Sequence, residues 1–497
     1  MTDPNRALDR ALVRGLSWNA AARWSGQLVS WASTIIVVRL LTPGDYGIAA
    51  MAGVVFGLVN YLIDGGIGTA IVSRGETNPA RLSQLTAATL MLGVLFGIAS
   101  ALLAIPVARF FGEPRLVPVI LVVSTSYVYL NFKIVPLAVL QRDLRFKEIA
   151  WTHLVWVVTS AGVSLALAFA GMGSWALVLG SLVGASASAL LTWLLAPQRP
   201  RWPVWAEIRD TIRFGNHMMV SRLAGYANEN ADSLVIGRVL GHQPLGSYRV
   251  AMEIGSMPIE KVAGIIQQVA TPIFASLRGD RAPLRRYFML LTEALSLIGW
   301  PLALGLSLVA DLIVSVVLGP NWLAAVTPLR ILGVAAAVRS VTPLIWSIVI
   351  VGGNSLLVMR ISVVSAVALV MALLVGSRWG LAGVAAAWGV VITLTAVPGL
   401  RWVLRTLEMR FTAYLRAMRS AALAAAFMCV VVIGVRTYFL GEATEATKLG
   451  VLVLTGAAAY LGAAALLLRA RVVQIARLLL GRWRPEAPSP SGPPGVP

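Results

Sequence analysis

The sequence predicts an all-α integral membrane protein with about fourteen transmembrane helices. We expect two six-helix lobes related by a pseudo-two-fold axis, followed by two further C-terminal helices. Three observations support this fold class. Of 497 residues, 58% are hydrophobic and 12% are charged, whereas soluble domains carry about 25% charged residues. Apolar runs of roughly twenty residues alternate with short polar turns. The pattern of the first half also recurs in the second.

The recurrence is clearest in the first predicted helix of each half. Polar side chains there lie three or four residues apart, which places them on one face of a helix. Gly26 and Arg39 in the first copy correspond to Gly225 and Arg238 in the second. Two such copies predict a pair of lobes that turn polar stripes towards a shared cavity. The stripes consist of Arg23, Gln27, Ser30 and Thr34, and of Arg222, Tyr226, Glu229 and Ser233.

Residues 1–196 are predicted to form the N-terminal lobe. Pro and Gly mark turns at residues 42–47, 110–114 and 171–173. The basic N-terminus before the first helix resembles a signal peptide, but the internal repeat of that helix argues that it is retained. The six helices are expected at about 16–41, up to 72, 86–108, 116–140, 149–170 and up to 196.

The remaining chain repeats this plan and then extends it. The connector 197–213 is rich in Pro and Trp and becomes amphipathic, as in an interfacial helix. The C-terminal lobe is predicted at 214–404 and two extra helices at 405–468. The tail 469–497 is basic and then Pro/Ser/Gly-rich, so we expect disorder. The helices are expected at about 214–240, up to 275, 287–310, 325–351, 356–376, 381–404, 413–435 and 445–468.

Loop charges predict the orientation in the membrane. Basic residues concentrate at the N-terminus, in the loops after the second, fourth, sixth, eighth and twelfth helices, and in the tail. Under the positive-inside rule these segments are cytoplasmic, so both termini are expected there. Each half begins on the same side because each has six helices. The prediction is a multi-pass protein of the bacterial inner membrane.

Composition also argues against several other classes of protein. The net charge of +20 would suggest nucleic acid as a partner of a soluble protein. Here the basic residues follow the alternate loops, so no nucleic-acid partner is expected. Cys429 is the only cysteine, which excludes an intramolecular disulfide, and the three histidines show no metal-ligand spacing. We expect no metal and no cofactor, and a monomer.

Charged residues inside predicted spans are the candidate functional residues. A charge at mid-membrane costs about 2.5–3.5 kcal/mol, so it is expected to face a cavity or a partner. Basic side chains drawn from opposed helices suit an anionic group such as pyrophosphate. The predicted substrate-binding cations are Arg23, Arg222, Lys133 and Arg339.

Several acidic residues and one lysine are candidates for ion coupling or gating, with H⁺ or Na⁺ as the coupling ion. Asp64 lies beside two glycines and could equally be a turn or capping residue. The alternative for the whole group is a structural ion pair, such as Arg222 with Glu229, or Glu260 with Arg23 or Lys261. The candidates are Asp64, Glu229, Asp232, Glu253, Glu260 and Lys261.

Several short motifs resemble those of a known family. They are Arg39-Leu-Leu-Thr-Pro-Gly-Asp-Tyr-Gly47, Asp64-Gly-Gly-Ile-Gly-Thr-Ala70, Gln141-Arg-Asp-Leu-Arg-Phe146 and Leu245-Gly-Ser-Tyr248. The sequence resembles the Wzx-type oligosaccharide flippases and polysaccharide exporters of the multidrug/oligosaccharidyl-lipid/polysaccharide superfamily, in the colanic-acid-exporter-like branch. The resemblance implies two six-helix lobes and alternating access, with Arg23 and Arg222 as the best matches to cavity cations.

The resemblance also implies a substrate and partners. The expected substrate is an undecaprenyl-pyrophosphate-linked oligosaccharide, moved across the inner membrane for lipopolysaccharide or exopolysaccharide production. Membrane lipids, a polysaccharide polymerase and glycosyltransferases are the expected partners. Two alternatives stay open. One is an ion-coupled multidrug or cation antiporter of the same superfamily, which needs an acidic cavity and twelve helices. The other is a membrane polymerase or ligase, which needs reactive residues in a large outer loop.

Overall fold

A computed structural model describes residues 26–27, 29–64, 67–204, 206, 225–439, 441 and 443–479. Every regular element in these residues is helical, which confirms the all-α prediction. The chain divides into two compact units. The first contains Met1–Met257, Val309–Ala335 and Asn354–Gly399, and the second contains Pro258–Leu308, Ala336–Gly353 and Leu400–Pro497.

The N-terminal half of the described chain contains eight helices. The predicted fourth span is divided into two shorter helices, and α4, α7 and α8 are each long enough to cross a membrane. The helices are α1 (Val29–Leu40), α2 (Pro43–Asp64), α3 (Ile67–Arg74), α4 (Pro79–Phe111), α5 (Leu116–Leu130), α6 (Ile134–Arg142), α7 (Phe146–Phe169) and α8 (Ser174–Leu195).

The second half repeats this sequence of long and divided helices. It ends with the two extra helices that the sequence predicts. The elements are α9 (225–239), α10 (His242–Ser276), α11 (Arg281–Leu308), α12 (Ala310–Ile313), α13 (Val326–Arg339), α14 (Thr342–Val351), α15 (Ser355–Gly376), α16 (Gly380–Thr406), α17 (Phe411–Tyr438) and α18 (Glu445–Leu479).

Nine helical segments within the described ranges are long and apolar enough to cross a membrane. One of them, Leu356–Thr406, contains both α15 and α16. Charged residues lower the mean hydropathy of α10, which carries Arg249, Glu253, Glu260 and Lys261. The chain is therefore a multi-pass membrane protein. Charged helices such as α10 must direct their polar side chains away from lipid.

The predicted fourth and tenth helices both break just before a proline. The fourth becomes α5, a 3-10 turn over Asn131–Lys133, and α6, with Pro136 in the first turn of α6. The tenth becomes α13 and α14, with Pro343 in the first turn of α14. Proline has no amide hydrogen and clashes with the carbonyl of the preceding turn. Each break follows a basic residue, Lys133 or Arg339.

The predicted second helix corresponds to α2 and α3, and residues 65–66 between them lie outside the described part. The short helices α3 and α6 pack together through a buried apolar cluster that includes Ile67, Ile71, Val135 and Leu140. This packing leaves the polar residues of both helices on another side. It therefore defines one wall of the cavity described below.

In the second unit, the two C-terminal helices pack against α11. The rings of Phe288 and Tyr414 stack with their centroids 5.9 Å apart. The Tyr460 hydroxyl donates to the Leu297 carbonyl at 2.6 Å. These contacts attach α17 and α18 to the core of that unit. The hydrogen bond also gives the buried Tyr460 hydroxyl the acceptor that a buried polar group requires.

Glycines bring α7 and α8 into close contact in the N-terminal lobe. A Cβ added at Gly184 would lie 2.7 Å from the Ser160 Cβ and 2.8 Å from the Trp156 carbonyl oxygen. Both distances are shorter than van der Waals contact. The hairpin therefore requires a residue without a side chain at this position, as in other small-residue contacts between membrane helices.

Replacing this glycine should destabilise the protein. We expect Gly184→Val to cost about 1–3 kcal/mol, because the added atoms force α7 and α8 apart. The measurement is the thermal unfolding midpoint of the purified protein in detergent. Gly162→Val is the matched control, since a Cβ there meets no described atom within 4 Å. Equal midpoints for the two variants would contradict the packing argument.

Candidate functional site

A cavity of about 1080 Å³ lies within the N-terminal lobe. It is bounded by α2, α3, the 3-10 turn, α6, α7 and α8. Apolar side chains form much of its wall, while amides, hydroxyls and one amine supply its polar groups. The lining residues are Phe56, Asn60, Gly68, Thr69, Val72, Ser73, Leu130, Asn131, Lys133, Ile134, Leu137, Ala138, Gln141, Trp156 and Ala185.

The polar lining favours an anion. Lys133 is half-buried at the break between α5 and α6, where the end of α5 carries negative carbonyl dipoles. No Asp or Glu is among the described lining residues. The amide groups of Asn60 and Asn131 donate to carbonyls of their own helices, Asn60 to Phe56 at 2.8 Å. Among the described lining residues, Lys133 is the one charged side chain.

One side of the cavity reaches the basic loops. Its lining helices α3 and α6 end at Arg74 and Arg142. Arg142 donates to the Glu76 carbonyl and binds Asp143 at 2.7 Å. The hydrogen bond from Arg142 lowers the pKa of the Asp143 carboxyl. The cavity therefore extends towards the side that the charge pattern predicts to be cytoplasmic.

Of the four predicted cations, the structure describes Lys133 and Arg339. Lys133 lines the cavity. Arg23 and Arg222 lie outside the described residues, so their placement in a cavity stays a prediction. Arg339 lies in the second unit, where its guanidinium binds the Glu260 carboxylate at 2.6 Å. In this conformation Arg339 is an ion-pair partner.

This ion pair corrects an expectation from the sequence. Lys261 was one proposed partner of Glu260, but neighbouring residues of a helix point in different directions. The observed partner, Arg339, comes from the end of α13, which the proline break places beside α10. In this conformation Glu260 is therefore part of a structural ion pair, the alternative to a role in ion coupling.

The other acidic candidates lie in different environments. Asp64 is the last residue of α2, and its side chain lies outside the described part. Asp232 is only 3% exposed and accepts hydrogen bonds from the Ser233 amide at 2.6 Å and hydroxyl at 3.3 Å. Glu229, Glu253 and Lys261 have exposed side chains. Asp232 is thus the buried member of the group.

A second set of contacts joins the two repeats at the turns between α1 and α2 and between α9 and α10. A Cβ added at Gly47 would lie 1.7 Å from the His242 carbonyl oxygen, and one at Gly246 would lie 1.7 Å from that of Pro43. The two contacts are symmetric, because His242 corresponds to Pro43 and Gly246 to Gly47 in the repeat. We name residues 42–47 and 241–246 the turn contact.

An arginine and a tryptophan reinforce the turn contact on one side. Arg39 at the end of α1 donates to the carbonyls of Val316 and Val317, the latter at 2.8 Å. The indole of Trp322 donates to the Val38 carbonyl at 3.0 Å and meets the Tyr46 ring edge-on at 5.2 Å. Carbonyls at a helix end need such donors.

The symmetric side carries an ionisable cluster. The Glu113 carboxylate binds Arg115 at 2.7 Å and the His242 Nδ1 at 3.0 Å. The other His242 nitrogen lies 3.1 Å from Arg115. Arg238, the repeat partner of Arg39, lies over the Phe110 ring at 5.8 Å. Hydrogen bonding from Arg115 lowers the pKa of Glu113.

The polar stripes serve more than one purpose. Ser30 and Thr34 of the first stripe line a separate small pocket. Tyr226 of the second stripe donates to the Val54 carbonyl, so it packs against α2. The sequence therefore predicted that these residues share a face, but not what each face touches. Sequence reasoning missed His242, because no local motif surrounds it. The only signal that could have placed it in the turn contact is its match to Pro43 in the repeat.

The Glu113 cluster should make the turn contact sensitive to acid. A carboxyl whose folded-state pKa is lowered stabilises the protein above its unfolded-state pKa, and this contribution is lost as pH falls through the folded-state pKa. We expect Glu113→Gln to lower the thermal midpoint near neutral pH and to differ less from wild type in acid. Exposed Glu445→Gln is the control. A gap that widens on acidification would contradict this interpretation.

Comparisons with known proteins place the chain in a family. Residues 36–327 match the family described as polysaccharide biosynthesis protein. The teichuronic acid biosynthesis protein TuaB of Bacillus subtilis is 25% identical over 471 residues, 92% of this chain and 95% of that protein. The lipopolysaccharide biosynthesis protein WzxC of Escherichia coli is 26% identical, over 67% of this chain and 69% of that protein.

Solved structures support the same fold. The lipid II flippase MurJ in an inward closed conformation matches with a TM-score of 0.75 at 14% identity, over 91% of this chain and 99% of that chain. An inward-facing multidrug resistance transporter of the MATE family matches with a TM-score of 0.60 at 17% identity, over 77% of this chain and 94% of that chain. The chain has the fold of the multidrug/oligosaccharidyl-lipid/polysaccharide superfamily and belongs to the polysaccharide biosynthesis protein family.

Proposed function

We propose that this protein is a flippase that moves a lipid-linked oligosaccharide across the inner membrane by alternating access. One observation carries the proposal. A large cavity with a lysine and no described carboxylate in its lining reaches the basic loops, while the turn contact joins the repeats at the opposite end. This is the arrangement expected of a site that loads an anionic head group from the cytoplasm.

The head group of such a substrate carries the charges that Lys133 would bind. A lysine amine is a compact point charge suited to phosphate oxygens, and the surrounding amides can bind sugar hydroxyls. Arg23 and Arg222, which lie outside the described residues, are proposed to add further positive charge. Arg339 would contribute only in a state that separates it from Glu260. The lipid tail would stay in the bilayer.

Release on the other side requires the turn contact to open. The contact consists of close approaches between equivalent turns of the two repeats, supported by hydrogen bonds from Arg39 to Val317 and from Trp322 to Val38. These few contacts can break together. Transport then follows from a shift between two discrete packings. An antiporter of cationic drugs is disfavoured, since the described lining of the cavity offers no acidic residue.

Removing the lysine should reduce transport. We expect Lys133→Gln to lower export of surface polysaccharide about 10-fold or more in a strain that lacks the native gene, because a lost charged hydrogen bond weakens binding by roughly 1.5–3 kcal/mol. Lys147→Gln is the matched control, since Lys147 is exposed and lies outside the cavity lining. Normal export by Lys133→Gln, at equal protein level, would contradict the assignment.

Locking the turn contact should stop transport. A Cβ at Gly44 would lie 3.5 Å from the Gln243 Cγ, which stands close to where the sulfur of a cysteine at 243 would lie. The two positions are therefore near enough for a disulfide to be tested. In a Cys429→Ser background, Gly44→Cys with Gln243→Cys should cross-link under oxidant. Export should cease and then recover on reduction. Each single cysteine variant is a control. Undiminished export by fully cross-linked protein would contradict alternating access at this contact.

A further inference from the structure

A second, smaller pocket lies beside the large cavity in the N-terminal lobe. Its volume is about 200 Å³, and it is enclosed by α1, α2, α7 and α8. It lies nearer the turn contact than the large cavity does, since Val37 and Tyr46 belong to its wall. The lining residues are Ser30, Ser33, Thr34, Val37, Tyr46, Trp156, Val157, Ser160, Ala161, Ser164 and Leu177.

We infer that this pocket binds one neutral pyranose ring of the transported glycan. The inference rests on the proposed function and adds to it a specificity site apart from Lys133. Five aliphatic hydroxyls and two aromatic rings line the pocket, and its described lining contains no charged side chain. Hydroxyls with aromatic faces are the groups that recognise an uncharged sugar, whose polar edges need hydrogen bonds and whose C–H faces pack on rings.

The Ser30 and Thr34 hydroxyls of the pocket are available to a ligand, whereas the Ser33 hydroxyl donates to the Ala161 carbonyl at 3.5 Å. In the other membrane helices, Ser and Thr usually donate to a carbonyl of the preceding turn. On α8, for example, Ser186 donates to the Leu182 carbonyl and Thr192 to the Ser188 carbonyl, each at 2.7 Å. By contrast, within the described part of the chain, Ser30 and Thr34 make no hydrogen bond through their hydroxyls.

The size and charge of the pocket favour a sugar over a metal ion. Its volume of about 200 Å³ leaves room for several water molecules, and therefore for a small ligand such as one sugar ring. A hard cation prefers carboxylate or carbonyl oxygens in a tighter cage. The same lack of charge excludes a uronic acid, because its carboxylate would be desolvated without a cationic partner.

Trp156 connects the two sites. It lines both the small pocket and the large cavity, and its side chain is 41% exposed. A substrate whose phosphate lies near Lys133 could therefore place a sugar beyond the indole. The charged site would recognise the common head group, and the small pocket would select the sugar.

The test is saturation-transfer NMR on the purified full-length protein in lipid nanodiscs. The probes are methyl β-D-glucopyranoside, methyl β-D-galactopyranoside, methyl α-D-mannopyranoside and methyl β-D-glucuronide. We expect at least one neutral glycoside to bind and the glucuronide not to bind. Thr34→Val and Ser30→Ala should each weaken binding about 2- to 10-fold, the loss expected for one neutral hydrogen bond.

Controls separate this inference from the proposed function. Thr192→Val and Ser186→Ala remove hydroxyls that their own helix already satisfies, and should leave glycoside binding unchanged. Lys133→Gln should also leave it unchanged, even if export fails. No binding of any neutral glycoside, wild-type binding by both pocket variants, or a thermal shift caused by Na⁺ but by no glycoside would overturn the inference. Normal export by Lys133→Gln with intact glycoside binding would count against the flippase site alone.

Discussion

The cost of placing a charge in a lipid bilayer governs this structure. Each charged side chain within a span must find a partner or a polar cavity. Glu260 and Arg339 satisfy this requirement by pairing with each other, and Lys133 does so beside a cavity. Both basic residues lie where a helix breaks before a proline. At one break, Arg339 ends α13, where carbonyl dipoles favour a cation. At the other, Lys133 lies between the end of α5 and the start of α6.

The internal repeat explains the other main feature, the turn contact. Equivalent glycines, Gly47 and Gly246, each approach a carbonyl of the opposite repeat. The arginines Arg39 and Arg238 also each reach the other repeat, but they contact different groups, backbone carbonyls in one case and a Phe110 ring in the other. The contact is thus symmetric in its backbone and asymmetric in its side chains, which gives the two halves different chemistry.

Hydropathy and repeats predicted the fold class and the extra helices because these signals extend over whole spans. The side-chain pairs between distant parts of the chain could not be predicted from the sequence. Glu260 and Arg339 are far apart in sequence, as are Glu113 and His242, and no local pattern links them. The breaks near Pro136 and Pro343 were also missed, because the sequence predicts one continuous helix over each of these stretches. Ser30 and Thr34 of the first stripe line one pocket, whereas in the second stripe Tyr226 packs on α2 and Glu229 is exposed, because helix rotation decides what each side chain meets.

The central claim is that the cavity beside Lys133 receives the charged head group of a lipid-linked glycan. A cryo-electron microscopy structure of the full chain in nanodiscs with its lipid-linked oligosaccharide tests this most directly. The account predicts phosphate density within hydrogen-bonding distance of the Lys133 Nζ, with the turn contact closed. Phosphate bound elsewhere, with the cavity filled by acyl chains, would contradict it.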